Sequence, residues 1–148
     1  MKRLPAMPEF LAPLPLGAVA LMAVNDRWLK PAFHNALTGK LSDVALCFFL
    51  PLYLSAMLAL LTRWPRERRV AVGAGITACL FTALKVSQPA ADLFSALLTP
   101  VGAPLGITAF RAWADPTDLI VLPLVWGAVR FSRAASREAQ SPPVGAST

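Results

Sequence analysis

Residues 44–62, VALCFFLPLYLSAMLALLT, decide the fold class: 19 residues without one charged side chain. About 20 predominantly apolar residues in a helix span the hydrocarbon core of a bilayer. Pro51 lies inside this run and predicts a kink, which a membrane helix tolerates when its neighbours re-satisfy the freed backbone groups. Ser42 and Asp43 precede the run, and either is expected to cap the helix by accepting a free backbone N–H. The run ends in Arg63-Trp64-Pro65-Arg66-Glu67-Arg68-Arg69, a basic turn with an interfacial Trp.

Working outward, residues 10–24, FLAPLPLGAVALMAV, form a shorter uncharged run, which Trp28 and Leu29 extend past the polar break Asn25-Asp26-Arg27. Pro13 and Pro15 fall where the first turns of a helix lack N–H partners anyway. The run also has features of a signal peptide, with Lys2 and Arg3 as n-region and Ala18-Val19-Ala20 as cleavage site. A retained first helix is simpler, because further spanning segments follow. Residues 70–84, VAVGAGITACLFTAL, make a third span. Gly73, Gly75, Ala78 and Thr82 give it a small-residue face for close helix approach. Lys85, Ser87 and Gln88 end it and Pro89 stops it.

Residues 90–110 are apolar but interrupted by Pro100, Gly102, Pro104 and Gly106. They predict a short helix over residues 90–98, then a loop or re-entrant piece. A fourth span begins near Pro116, with Thr117 or Asp118 as its cap, and runs to Phe131. Residues 132–148 are polar, contain Pro142-Pro143 and are expected to be a disordered cytoplasmic tail. The expectation is thus an all-α polytopic membrane protein. A four-helix transmembrane bundle occupies residues 1–131, with a broken helical or re-entrant segment between spans three and four.

Composition agrees. Of 148 residues, 56% are apolar before glycine is counted and 15% are charged; soluble domains carry about 45–50% with glycine included, and about 25% charged. This excludes a disordered chain, a basic nucleic-acid-coating protein and an ordinary soluble domain. The formal charge of +6 sits in short clusters beside apolar runs, so nucleic acid is not expected as a partner. Cys47 and Cys79 lie in apolar runs without a second ligand nearby and read as small buried hydrophobes. His34, the single histidine, has no Cys or His partner in its segment, which argues against zinc. No phosphate loop, dinucleotide fingerprint, HExxH helix or nucleophile elbow is present, and no cofactor is expected.

Basic residues orient the spans. Lys2, Arg3, Arg63, Arg66, Arg68, Arg69, Arg130, Arg133 and Arg137 fall on one side, nine of the 14, and Arg27, Lys30, Lys40, Lys85 and Arg111 on the other. The positive-inside rule then places both termini in the cytoplasm of a bacterial inner (plasma) membrane. All five aspartates, Asp26, Asp43, Asp92, Asp115 and Asp118, collect on the outer side. Such segregation either marks a site or reflects exclusion of acids from the basic face.

Leu41-Ser42-Asp43-Val44 and Pro116-Thr117-Asp118-Leu119 both place a hydroxyl–Asp pair before an apolar run containing Pro-Leu. Either these are two caps or two hairpins in parallel repeat bring Asp43 and Asp118 together at the outer mouth. Converging carboxylates could hold a divalent cation, with Asp43 and Asp118 as ligands. Alternatively, Lys40, Lys85 and Arg111 pair with them, or hold a lipid phosphate. Lys85 either snorkels to the interface or makes a salt bridge. The candidate outer-face site is Asp26, Lys40, Asp43, Lys85, Gln88, Arg111, Asp115 and Asp118.

The stretches Asn25-Asp26-Arg27-Trp28-Leu29-Lys30, Leu37-Thr38-Gly39-Lys40-Leu41-Ser42-Asp43 and Asp115-Pro116-Thr117-Asp118-Leu119 resemble a group of small uncharacterised bacterial integral membrane proteins. The order Asp43, Gln88, Arg111, Asp118 is also similar to that of VanZ-like membrane proteins, which are linked to glycopeptide tolerance and the cell envelope. This chain lacks the His after the first Asp and the Asn after the last that the VanZ-like pattern carries. Three function classes follow. The first is an outer-face site for a lipid headgroup, envelope precursor or cation. The second is a structural or regulatory subunit docking a membrane protein partner. The third is a channel or transporter built as a homo-oligomer.

Overall fold

The computed structural model describes residues 11–33, 36–102 and 112–140. His34 and Arg111 lie outside the described residues, as do residues 103–111, on which part of the re-entrant expectation falls. The described residues are helical, with no strand among them.

Helix α1 is Pro13–Val24. Pro13 and Pro15 sit in its first turn, where a missing N–H costs least. It passes directly into a π-helical turn, Asn25–Leu29, and a last α-helical turn, Lys30–Phe33. Helix α2 is Ala36–Leu61, with Pro51 inside it. Helix α3 is Arg66–Val86, and Ser87, in extended conformation with φ −133° and ψ 109°, breaks it from α4, Gln88–Gly102. A 3-10 helix, Pro116–Val121, leads into α5, Pro123–Gln140.

Three stretches are long and apolar enough to cross a membrane: Lys40–Leu61, Arg66–Val86 and Pro116–Arg137, with mean hydropathies of 2.4, 1.5 and 1.3. Only 28%, 33% and 22% of their most apolar windows are buried inside the protein. The rest is apolar and faces outward: Leu60, Leu61, Ile76, Ile120 and Trp126 are all exposed. Meanwhile Asn25, Ser55, Thr77, Asp118 and Ser132 are buried. This inside-out distribution suits lipid, where apolar side chains need no shelter and polar ones need partners.

Several expectations are corrected. Helix α2 begins at Ala36, so Ser42 and Asp43 are interior helix residues and not caps. Helix α4 starts at Gln88, two residues before the expected Ala90, with Pro89 in its first turn, and it continues through Pro100 to Gly102. The Ser87 hydroxyl accepts the Ala90 N–H (3.4 Å), and the Ser87 carbonyl accepts that of Ala91 (3.1 Å), which starts α4 at once. The tail expected from Ser132 is helical as far as Gln140; residues 141–148 lie outside the described residues. Cys47 is buried as expected, but Cys79 is exposed on α3.

The core sits where α2, α3 and the last two elements meet, around Cys47, Phe81, Val121 and Val125. The α2–α3 contact is the most extensive in the molecule, and Gly73 makes it possible. A Cβ there would stand 2.6 Å from the Pro51 carbonyl oxygen and 3.3 Å from Leu54 Cβ. One turn on, the Thr77 hydroxyl donates to the Gly73 carbonyl (2.8 Å), which satisfies it inside the interface. Gly75, also counted in the expected small-residue face, points into open space. Gly73→Ala is therefore expected to destabilise the protein by about 1–3 kcal/mol, because backbone must move. Gly75→Ala is expected to be neutral or slightly stabilising, since alanine is the better helix former by roughly 1 kcal/mol. Thermal unfolding of both variants in one detergent checks the pair, and equal effects would contradict this packing.

Candidate functional site: an ionic cluster at one end of the helices

The start of α2, the end of α3 and the 3-10 helix meet at the same end of the protein. Each brings charge there. Lys40 and Asp43 lie three residues apart on α2, which puts them on neighbouring positions of the helix surface. Lys85 is in the last turn of α3, and Asp118 is on the 3-10 helix.

Lys85 Nζ donates to Asp43 Oδ2 (2.7 Å) and to Asp118 Oδ2 (2.6 Å). Lys40 Nζ donates to the other oxygen of Asp118 (2.7 Å) and to Thr117 Oγ1 (3.0 Å). The result is an alternating chain, Lys40–Asp118–Lys85–Asp43, with two positive and two negative groups. The side chains of Lys85, Asp43 and Asp118 are only 16%, 15% and 11% exposed, while Lys40 is 32% exposed. Lys85 Nζ also stands 5.4 Å from the centre of the Phe81 ring, one turn below it, which adds a cation–π attraction.

Of the expected site residues, the structure brings together Lys40, Asp43, Lys85 and Asp118. The pairing of Asp43 with Asp118 runs through Lys85, whose ammonium stands where the expected divalent cation would bridge them. Among the described residues no group of three or more His, Cys, Asp or Glu side chains converges as a metal site. Asp118 is not a cap: that role belongs to Asp115, whose Oδ1 accepts the Thr117 N–H (2.9 Å) and hydroxyl (2.7 Å). The Thr117 hydroxyl thus links Asp115 to Lys40. These two hydrogen bonds, the hydroxyl's first, hold the Asp115 carboxyl below its ordinary range. Its contribution to the cap is present above that ordinary range and is lost as pH falls through the lowered value.

Gln88 belongs to a neighbouring clasp. Its Nε2 donates to Asp92 Oδ1 (2.8 Å) and the Ala112 carbonyl (3.4 Å), and its Oε1 accepts the Ala114 N–H (3.0 Å). The Ala112 N–H goes to Ser95 Oγ (3.0 Å), so residues 112–114 return along α4 toward the cluster. The side chain of Asp26 lies outside the described residues, as does Arg111. Beside Asp26, however, Asn25 is fully buried and its Nδ2 donates to Ser42 Oγ (2.8 Å), tying the π-helical turn after α1 to α2. Neither Asn25 nor Ser42 was among the expected site residues. The legible signal was that Asn25 interrupts an apolar run.

Breaking a buried ion pair from one side leaves an uncompensated charge and costs about 3–5 kcal/mol. Lys85→Met is expected to lose that much, because Asp43 then loses its ammonium and faces Asp118, which Lys40 still holds. Adding Asp43→Asn to it should recover part of the loss, so the double mutant will be less destabilised than the sum of the singles. Chemical or thermal unfolding of the three variants measures the coupling. Additive effects would mean that the residues do not act as one cluster.

The chain matches no family model, no curated protein and no solved structure.

Proposed function

We propose that this is a four-span protein of the bacterial inner membrane with both termini cytoplasmic, and that its ionic cluster forms an outer-face site for an anionic lipid headgroup. In this reading α1, extended by the turns up to Phe33, is the first span beside the three long apolar helices. The nine-to-five division of Lys and Arg supports the orientation. The likeness of Asp43, Gln88, Arg111 and Asp118 to the VanZ-like order fits an envelope role.

The observation that carries the headgroup site is the sharing of Asp118. Its two oxygens serve two different lysines. An incoming phosphate can therefore take Lys40 while Asp118 keeps Lys85, and no charge is orphaned. Lys40 is the more exposed lysine, and Thr117 Oγ1 accepts from it and helps to hold it in place. Phosphate oxygens on an ammonium accept charge-assisted hydrogen bonds of the stronger kind.

A second reading is that of a structural or regulatory subunit, in which the cluster only fixes the helix ends and the outer face docks a membrane protein partner. It is favoured by the mutual neutrality of the two lysines and two aspartates.

Two measurements bear on these readings. In a Cys47→Ala/Cys79→Ala background, a membrane-impermeant thiol reagent applied from outside is expected to label Asn35→Cys and to spare Arg68→Cys; the reverse would overturn the orientation. In nanodiscs, adding an anionic phospholipid to a zwitterionic bilayer is expected to raise the melting temperature of the wild type. A ligand at ten times its Kd contributes about 1.4 kcal/mol. Lys40→Gln should lose this increment. An equal increment in both proteins would favour the structural reading.

A further inference from the structure

An open groove of about 300 Å³ lies between α1, α2 and α5. Its walls include Gly17 and Leu21 of α1, Val44 and Phe48 of α2, and Leu124 of α5. Val44 and Phe48 follow Lys40 at intervals of four, so all three lie along one face of α2. The partly exposed Lys40 thus stands one turn before Val44 on the face of α2 that lines this apolar groove. Leu124 follows Asp118 by six residues and closes the same groove from the other side.

We propose that the groove holds the hydrocarbon chain of an anionic, phosphate-bearing amphiphile whose headgroup lies on Lys40. This rests on the headgroup reading and deepens it by naming the ligand class. Charge complementarity selects the anionic end, and the i, i+4, i+8 register puts Lys40 in line with Val44 and Phe48 of the groove wall. A free phosphate would leave the groove unused, and a zwitterionic lipid would bring a second cation to Lys40.

Gly17 supplies the means of testing this. A Cβ at Gly17 meets nothing within 4 Å and Gly17 lines the groove, so Gly17→Leu is expected to occupy that space. Ala18→Leu, on the same wall, is the second filling variant. Neither touches the cluster, and unfolding of each in detergent checks that it is folded.

The experiment is native mass spectrometry of the detergent-solubilised chain with three probes: lysophosphatidic acid, lysophosphatidylcholine of the same chain length, and glycerol 3-phosphate. Wild type is expected to retain one lysophosphatidic acid in preference to the other two. Gly17→Leu and Ala18→Leu should weaken that retention about tenfold, or about 1.4 kcal/mol, and Lys40→Gln should weaken it as well. Undiminished retention in both filling variants, with loss in Lys40→Gln, would overturn the groove as the chain's place and leave the headgroup site standing. Retention unaffected by any of the three substitutions would remove the headgroup site too. A wild-type dimer that Gly17→Leu converts to monomer would assign the groove to a second copy of the chain and overturn the proposal.

Discussion

Lys85 Nζ sits between two carboxylates that come from two other elements, and the arrangement of this end of the protein follows from that contact. Asp43 arrives on α2 and Asp118 on the 3-10 helix, each within 2.7 Å of the same ammonium. In an apolar surrounding, none of these groups can be left alone without a cost of several kcal/mol. The end of α3 therefore has to lie between the other two elements. Lys40 completes the chain by taking the second oxygen of Asp118, which fixes the 3-10 helix against α2 a second time. Two lysines and two aspartates cancel, so the cluster can lie at the end of an apolar bundle with little net field.

The opposite end is held by different means. The Arg66 guanidinium donates to the Ser132 hydroxyl (3.2 Å) and carbonyl (2.7 Å), joining the start of α3 to α5. Arg69 donates to the Trp64 carbonyl (2.6 Å), and Arg68 and Arg130 lie over the rings of Trp64 and Trp126 at 4.6 and 4.3 Å. These are basic and aromatic groups of the kind that settle at a membrane–water interface. Between the two ends, contact depends on shape. Gly73 lets α3 approach the Pro51 carbonyl, and Thr77 keeps its hydroxyl satisfied within α3. The protein thus spends its buried polar groups at three levels, and each level ties α3 to a neighbour or satisfies a group along it.

The chemistry open to the cluster is set by the same geometry. Both carboxylates are already engaged by ammonium groups, so exchange of partners is more natural for them than capture of a bare cation. Lys40 is the member whose departure disturbs least, because Asp118 would stay bonded to Lys85. An open groove of apolar side chains lies between α1, α2 and α5.

The membrane class was legible in composition and in the uncharged runs, because hydrocarbon imposes an apolar length that few other environments require. That Asp43 and Asp118 belong to one end of the helices was legible too, since both stand at the edge of an apolar run. Local sequence could not tell a cap from an ion-pair partner at Asp43 or Asp118. A hydroxyl–Asp pair before an apolar run serves either role, and only the start of α2 at Ala36 and the Asx turn at Asp115 separate them. Which glycine packs was also hidden, because Gly73 and Gly75 sit in the same run and differ by 200° of rotation at 100° per residue. The salt bridges join residues 33, 42 and 78 positions apart, and pairings of that range are decided by how the helices pack. Residue order thus determined the solvent and the charge asymmetry; tertiary structure decided which charges meet, because an ammonium accepts any carboxylate that packing brings within reach.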